Sequence, residues 1–204
     1  MGPNTTTRDR ILYQGLELIS QAGLSGLSLG KLAQEASLSK SGLFAHFHSK
    51  EQLERELLNY TVDFAQTKVV EPAMQFPEGL PRLEALVNNW LGWTTRAGLP
   101  GGCPIAAAAF ELDDSEGPIR EEFLKKEKDW REFLKHLVLQ TMGKGHFRMD
   151  LDADRFVWEL CGIYLVHHVS FRFVRDPNSD RYAKEAFQSL IKRSLPDLQI
   201  KTSF

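Results

Sequence analysis

Three consecutive residues, Lys40, Ser41 and Gly42, are of the types that contact nucleic acids. A lysine ammonium and a serine hydroxyl can bond to base edges or phosphates, and a glycine lets the backbone approach DNA closely. Ser39 precedes them and is suited to cap a helix start, so they lie at the N-terminal end of a predicted two-turn helix. When such a helix enters the major groove, residues at this end reach the bases. The pattern therefore predicts a DNA contact here.

The surrounding segment supplies the elements that would position these residues. Ser28, Ser39 and Ser49 are predicted N-caps of three closely spaced helix starts. Helices of only two turns are not stable alone in water, so they must pack together as a compact tri-helical unit. One helix ends near Ala36, residues 37–39 form a turn, and the next helix begins directly afterwards. This is the arrangement of a helix-turn-helix.

The residue order over positions 37–53 is more specific than any of these features alone. The segment Ser-Leu-Ser-Lys-Ser-Gly-Leu-Phe-Ala-His-Phe-His-Ser-Lys-Glu-Gln-Leu resembles the recognition-helix signature of the tetracycline-repressor (TetR) family, and the resemblance extends over about residues 7–60. It implies a sequence-specific transcriptional regulator whose partner is double-stranded operator DNA. The expected form is a homodimeric repressor that a small-molecule inducer releases from its operator, and an activator is an alternative within the same family.

The resemblance also implies roles for individual residues. Base-edge contacts fall to Lys40, Ser41 and Gly42. Contacts that touch or frame the DNA backbone fall to Thr7, Ser28, Lys31, Ser39, Phe44, His46 and Lys50. For His46, a partly buried packing role is the alternative. Phe44 departs from the family, which usually has a phosphate-binding tyrosine there, and Gly30-Lys31 stands where an acidic residue is common.

Behind this segment the resemblance implies a sensor. Residues 1–50 are expected to form the DNA-binding domain, and residues 51–204 a helical ligand-binding and dimerisation domain. The last two helices, about residues 152–195, would form a four-helix bundle across a two-fold axis. The segment 152–175 is apolar on nearly all sides. It therefore carries more apolar surface than one subunit can cover. Candidate ligand contacts, for which a plain core role is the more common alternative, are Trp90, Trp93, Cys103, Phe110, Trp130, Tyr164, His167 and Phe171.

Cys103 supports an alternative kind of sensing. It follows two glycines and precedes Pro104 at the start of an alanine-rich helix. A helix N-terminus lowers a thiol pKa, so a redox- or electrophile-responsive regulator is the second hypothesis. The plain alternative is a small, partly buried residue in a tight turn. Cys161, in the middle of an apolar helix, is expected to be inert packing.

Periodicity predicts an all-α chain of about nine helices and no strand. No glycine-rich phosphate loop, nucleophile elbow or zinc-protease motif is present, which argues against an enzyme, although a cysteine-dependent one at Cys103 stays open. A helical interaction protein without DNA binding would leave residues 39–53 unexplained. Adjacent His167 and His168 point about 100° apart on a helix and make a poor chelate, so we expect no metal and no cofactor.

Composition and charge are consistent with this class. The 204 residues carry a net charge of −2, but residues 1–50 carry +2 and the other 154 carry −4. The net negative charge argues against a protein that coats nucleic acid through bulk charge, and the mild basic bias of residues 1–50 is compatible with a small DNA-binding face. Two cysteines give no disulfide framework, and no stretch approaches the roughly 18 apolar residues of a membrane helix. We therefore expect a cytoplasmic protein.

Overall fold

The computed structural model describes residues 6–196, and every regular element among them is helical. The α-helices are α1 (Thr7–Ala22), α2 (Leu29–Glu35), α3 (Lys40–Phe47), α4 (Lys50–Ala65), α5 (Glu71–Met74), α6 (Leu80–Trp90), α7 (Trp93–Arg96), α8 (Pro104–Glu111), α9 (Pro118–Gly143), α10 (Ala153–Val169) and α11 (Ser179–Ser194). Two π-helical segments, Gln66–Val70 and Ser170–Val174, continue α4 and α10. The all-α prediction is confirmed; the single-turn helices α5 and α7 were not predicted.

The three predicted serine caps are all formed. The side-chain oxygens of Ser28, Ser39 and Ser49 accept the backbone N–H groups three residues on, at N···O distances of 3.3, 3.0 and 3.1 Å. Each bond satisfies one of the donors that a helix start leaves without a partner. These caps fix where α2, α3 and α4 begin, and so which residues stand at their N-terminal ends.

One compact unit comprises the chain up to Lys68 together with Gly92–Lys126. It therefore holds α1–α4, α7, α8 and the first residues of α9. Its core is made by the inward faces of the short helices, with Ile11, Leu32, Leu43, Phe47 and Leu57 almost completely buried. We call it the first unit.

A second compact unit comprises Val69–Leu91 and the chain from Glu127 onward. Within it α10 packs on α11, and α5 packs on α6. Phe156 and Leu160 of α10 are buried, but Trp158, Val166 and Phe173 are 71, 65 and 87% exposed. The helix therefore carries more apolar surface than the described subunit covers, as predicted. No helix among residues 6–196 is long and apolar enough to cross a membrane.

Candidate nucleic-acid interface

The N-terminal end of α3 presents the residues predicted to read DNA. Lys40 and Ser41 are exposed, and the Ser41 Oγ lies 2.9 Å from the Ser39 Oγ. The backbone N–H of Gly42 donates to that same Ser39 oxygen, so it is already used by the cap. Lys40 and Ser41 are left as the side chains that this end of the helix offers to a ligand.

Three side chains of α1 hold the two helices of the helix-turn-helix by their C-terminal carbonyl groups. Gln14 donates to the Glu35 carbonyl at 2.8 Å, and Arg10 donates to the Ala36 carbonyl at 3.4 Å. Arg8 donates to the carbonyl of His46 at 3.2 Å. Because the last carbonyls of a helix have no partner within it, these bonds satisfy α2 and α3 and fix their orientation on α1. Sequence reasoning missed all three.

Arg8 also joins α1 to the buried side of α3 and to α4. Its guanidinium forms an ion pair with Glu56 and lies 5.0 Å from the centre of the Phe47 ring. A planar guanidinium with several donors suits this combination of hydrogen bonds, ion pair and ring contact. Just before it, Thr6 caps α1 in a reciprocal capping box, and its hydrogen bonds lower the pKa of Asp9.

The other predicted backbone contacts lie on the same unit. Four of these residues are exposed on the surface of the first unit: Thr7, Ser28, Lys31 and Phe44, whose exposed fraction is 36%. His46 is half-buried, and the centre of its ring lies 6.3 Å from that of the Phe47 ring. Lys50 is exposed but forms an ion pair with Glu54 at 3.2 Å. A phosphate contact by Lys50 would have to share or replace that carboxylate.

A carboxylate at the end of α8 binds the turn after α1. The Glu111 Oε2 accepts the backbone N–H groups of Leu24 at 2.7 Å and Ser25 at 3.0 Å. Gly23, at φ 73°, stands directly against this carboxylate, and a Cβ there would overlap it. Sequence reasoning did not find this contact, because 87 residues separate Glu111 from Leu24.

The start of α8 is attached to the same region. The Gly102 N–H donates to the Ser20 carbonyl at 2.7 Å, and a Cβ on Gly101 would overlap the Ser20 backbone. The first turns of α9 contact α4 as well: Glu122 accepts a bond from Asn59 at 2.9 Å and pairs with Arg55 at 3.3 Å. In the first unit, α8 and the start of α9 are thus bonded to the helices that carry the DNA-binding candidates.

The predicted ligand contacts fall into both units. In the second unit the rings of Trp90 and Tyr164 stack in parallel with centroids 4.1 Å apart, and Trp130 meets Trp90 edge-on at 5.1 Å. His167 stacks on Phe171 and its Nε2 lies 2.7 Å from a carboxylate oxygen of Asp180. Trp93, Cys103 and the exposed Phe110 belong to the first unit.

Both cysteines are buried and free of disulfides. Cys103 is the N-cap of α8, as predicted, and its Sγ accepts the N–H of Ala106 at 3.5 Å while the residue is 3% exposed. Burial raises the pKa of Cys161 to about 11. Within residues 6–196, no group of three or more His, Cys, Asp or Glu side chains could hold a metal ion.

Known proteins resemble the chain over nearly its whole length. Nucleoid occlusion factor SlmA of Cronobacter sakazakii is 26% identical over 179 residues, covering 87% of this chain and 90% of that protein. A TetR transcriptional regulator of Chloroflexus aurantiacus superposes with a TM-score of 0.74 at 26% identity, covering 91% of this chain and 92% of its own. AibR, solved with isovaleryl coenzyme A and operator DNA, shares the fold at 21% identity and a TM-score of 0.71, covering 94% and 99%.

Two family models match separate parts of the sequence. The model of bacterial regulatory proteins of the tetR family matches residues 11–57, which contain the helix-turn-helix. The model of the tetracyclin repressor-like C-terminal domain matches residues 79–187, just over half of the chain. The chain therefore belongs to the TetR family of bacterial transcriptional regulators.

Proposed function

We propose that the protein is a homodimeric repressor that binds a palindromic operator with α3 in the major groove and leaves it when a small molecule binds. The observation that carries the proposal is the exposed Lys40-Ser41 end of α3, held in place by the Arg8, Arg10 and Gln14 bonds from α1. Base-edge contacts are assigned to Lys40 and Ser41, and Gly42 is assigned the close approach of the helix backbone to DNA. Backbone contacts are assigned to Thr7, Ser28, Lys31, Ser39, Phe44, His46 and Lys50.

Dimerisation is assigned to α10 and α11. Trp158, Val166, Val169 and Phe173 recur at spacings of eight, three and four residues, so they lie along one face, and all four are exposed in the subunit. A contiguous exposed apolar face of this kind marks an interface with another protein. In a two-fold dimer the same face on a second copy covers it, and two α3 helices are then presented to two half-sites.

Release is assigned to a small molecule that binds beside the aromatic cluster of Trp90, Trp130 and Tyr164. Trp130 lies on α9, which runs without a break into the turns where Glu122 binds Arg55 and Asn59 of α4. A ligand that displaces Trp130 would therefore act on the helix that follows α3. Such a ligand shifts the equilibrium between the DNA-bound and the DNA-free arrangement only if it binds the DNA-free arrangement more tightly than the DNA-bound one. AibR, whose crystals contain both an acyl-coenzyme A and operator DNA, supports a sensor of this general type.

The remaining assignments follow from this function. We assign DNA binding to residues 1–50 and ligand binding and dimerisation to residues 51–204, without a metal, a cofactor or a catalysed reaction. Because the target is chromosomal DNA, the place of action is the bacterial cytoplasm. The proteins that the chain resembles are regulators, which supports a role without catalysis.

A regulator that senses oxidants through Cys103 is the second candidate. Its thiol caps α8 beside the segment that binds Ser20, so a modified Cys103 would disturb the first unit. Its burial opposes this role, because a reagent reaches the sulfur only after local opening. Mass-spectrometric mapping of Cys103 modification after mild peroxide or quinone exposure distinguishes a redox sensor from a repressor released by an inducer. An unmodified Cys103 with unchanged DNA affinity rejects the redox version.

The experiment that tests the main proposal is selection of binding sites from a random duplex library, followed by titration of the selected site at two salt concentrations. We expect a palindrome, bound by a dimer, with affinity that falls as salt rises. Lys40→Ala should weaken binding of the selected site and relax discrimination at the base pair that Lys40 contacts. Lys128→Ala, which removes an exposed lysine of α9 in the second unit, is the matched control and should bind like the wild type. No enriched sequence for the wild type would reject the proposal.

A further inference from the structure

The side chain of Lys40 runs over the first turn of α2. A Cβ built on Gly30 would lie 3.4 Å from the Lys40 Cε and 3.9 Å from its Nζ. The same point is 3.9 Å from the Oγ of Ser28, the cap of α2. Gly30 therefore lies beside the end of the Lys40 side chain and, having no side chain, leaves the space next to it open.

The surroundings of Lys40 leave its charge unpaired. The first turn of α2 contains no acidic residue, and across the described part of the chain no carboxylate pairs with Lys40. Two neighbouring cations differ in this respect: Arg8 pairs with Glu56, and Lys50 pairs with Glu54. Of these three cations, Lys40 is the one whose charge the fold leaves available to another molecule.

We propose that Gly30 is a positioning residue of the DNA interface: because it has no side chain, the Lys40 ammonium beside it stays free of a protein partner. The inference rests on the proposed function, because it assigns the specificity of the operator complex partly to a residue that does not contact DNA.

The distances make a specific substitution informative. In Gly30→Asp the carboxylate carbon follows directly on the Cβ, and the Lys40 Nζ lies 3.9 Å from that Cβ. The carboxylate oxygens then fall within ion-pair distance of the ammonium and hold it away from DNA. An aspartate in the first turn of a helix is favourable for the helix dipole, so this variant should fold.

The test compares wild type, Gly30→Asp, Gly30→Asn and Lys40→Ala by titrating the selected operator and variants of it with single base-pair changes. We expect Gly30→Asp to weaken binding of the selected operator on the order of tenfold and to relax discrimination at the base pair that Lys40 contacts. Gly30→Asn has nearly the same shape without the charge and should recover most of the affinity. Gln34→Asp, on the exposed face of the same helix one turn later, controls for added charge and should leave the discrimination at that base pair unchanged.

A double-mutant cycle then identifies the route of the effect. If Gly30→Asp acts through Lys40, it should weaken binding less than twofold in a Lys40→Ala background. Equal losses in both backgrounds, or a Gly30→Asn variant as weak as Gly30→Asp, would overturn the inference while leaving the regulator intact. A wild-type chain that selects no operator would overturn the inference and the proposed function together. Circular dichroism spectra of all variants establish that they are folded.

Discussion

The Glu111 carboxylate lies 2.7 Å from the backbone nitrogen of Leu24, so the last turn of α8 is hydrogen-bonded to the turn that joins α1 to α2. The same oxygen accepts the N–H of Ser25. An ionised acceptor makes stronger hydrogen bonds than a neutral one, and here it serves two adjacent amides. The position of the turn before the helix-turn-helix therefore depends on a side chain that lies far along the sequence.

Removing this carboxylate should loosen the first unit. We expect Glu111→Ala to lower the free energy of unfolding by about 1–2 kcal/mol, because two amides lose a charged acceptor. Urea denaturation measures the change, and operator affinity should fall with it. Asp63→Ala removes an exposed carboxylate from α4 and serves as the control. Equal stability of the two variants would mean that water replaces Glu111 at no cost.

Restoring a hydroxyl at position 44 should strengthen operator binding. Phe44 is 36% exposed, and the family usually has a phosphate-binding tyrosine at its place, so Phe44→Tyr should gain about 0.5–1.5 kcal/mol per protomer in the operator complex. Because a phenol is uncharged, the salt slope should stay the same. Fluorescence anisotropy of the selected duplex measures both quantities. Phe44→Leu should gain nothing, and a loss of affinity in Phe44→Tyr would place this side chain away from phosphates.

The apolar face of α10 predicts the result of adding a charge to it. Phe173→Glu should yield a monomer at micromolar concentration, since a buried unpaired carboxylate at a dimer interface costs several kcal/mol. Sedimentation velocity gives the molecular mass. Phe76→Glu changes another exposed phenylalanine of the second unit, 49% exposed, and should remain dimeric. A dimeric Phe173→Glu protein would assign dimerisation to a different surface.

The raised pKa of Cys161 predicts a loss of stability in alkali. Burial favours the neutral thiol, so the folded protein binds its proton more tightly than the unfolded chain, whose thiols titrate near pH 8.5–9. The tighter proton binding stabilises the folded state, and this stabilisation is fully present below about pH 8.5. It is lost as the pH rises to about 11, which lowers the free energy of unfolding by about 2 kcal/mol. The difference in unfolding free energy between wild type and Cys161→Ala should shrink over that range. If the difference in unfolding free energy between the two proteins stayed constant with pH, the Cys161 thiol would not have a raised pKa in the folded state.

Local features of the fold could be predicted from the sequence because neighbouring residues determine them. Ser28, Ser39, Ser49 and Cys103 each cap a helix within three residues of themselves, and the apolar stripe of α10 follows helical spacing. Spacing of four residues also predicts the Glu127–Arg131 pair, which forms at 2.8 Å. In such cases the helix itself brings the partners together.

Contacts between distant segments could not be predicted in this way. Glu122 has Lys126 at the same four-residue spacing, yet its carboxylate binds Asn59 and Arg55 of α4. The stack of Trp90 on Tyr164 likewise depends on how α6 and α10 pack. A single sequence shows which residues can form such bonds, but tertiary packing determines which of the possible partners come within bonding distance. The candidate DNA-contacting residues lie within the first 50 residues, so a local motif could identify them. The candidate ligand-contacting residues are spread over distant segments, so no local motif identifies them.

The bonds at the two ends of α8 decide where this regulator could be divided to build chimeras. Joining residues 1–50 to the sensor of another regulator would leave Leu24 and Ser25 without the Glu111 carboxylate, and Ser20 without the Gly102 amide. A hybrid repressor that responds to a new chemical signal would need to carry residues 92–126 along with the helix-turn-helix. The functional module of this protein is discontinuous in sequence, and engineering by simple end-to-end fusion would separate its parts.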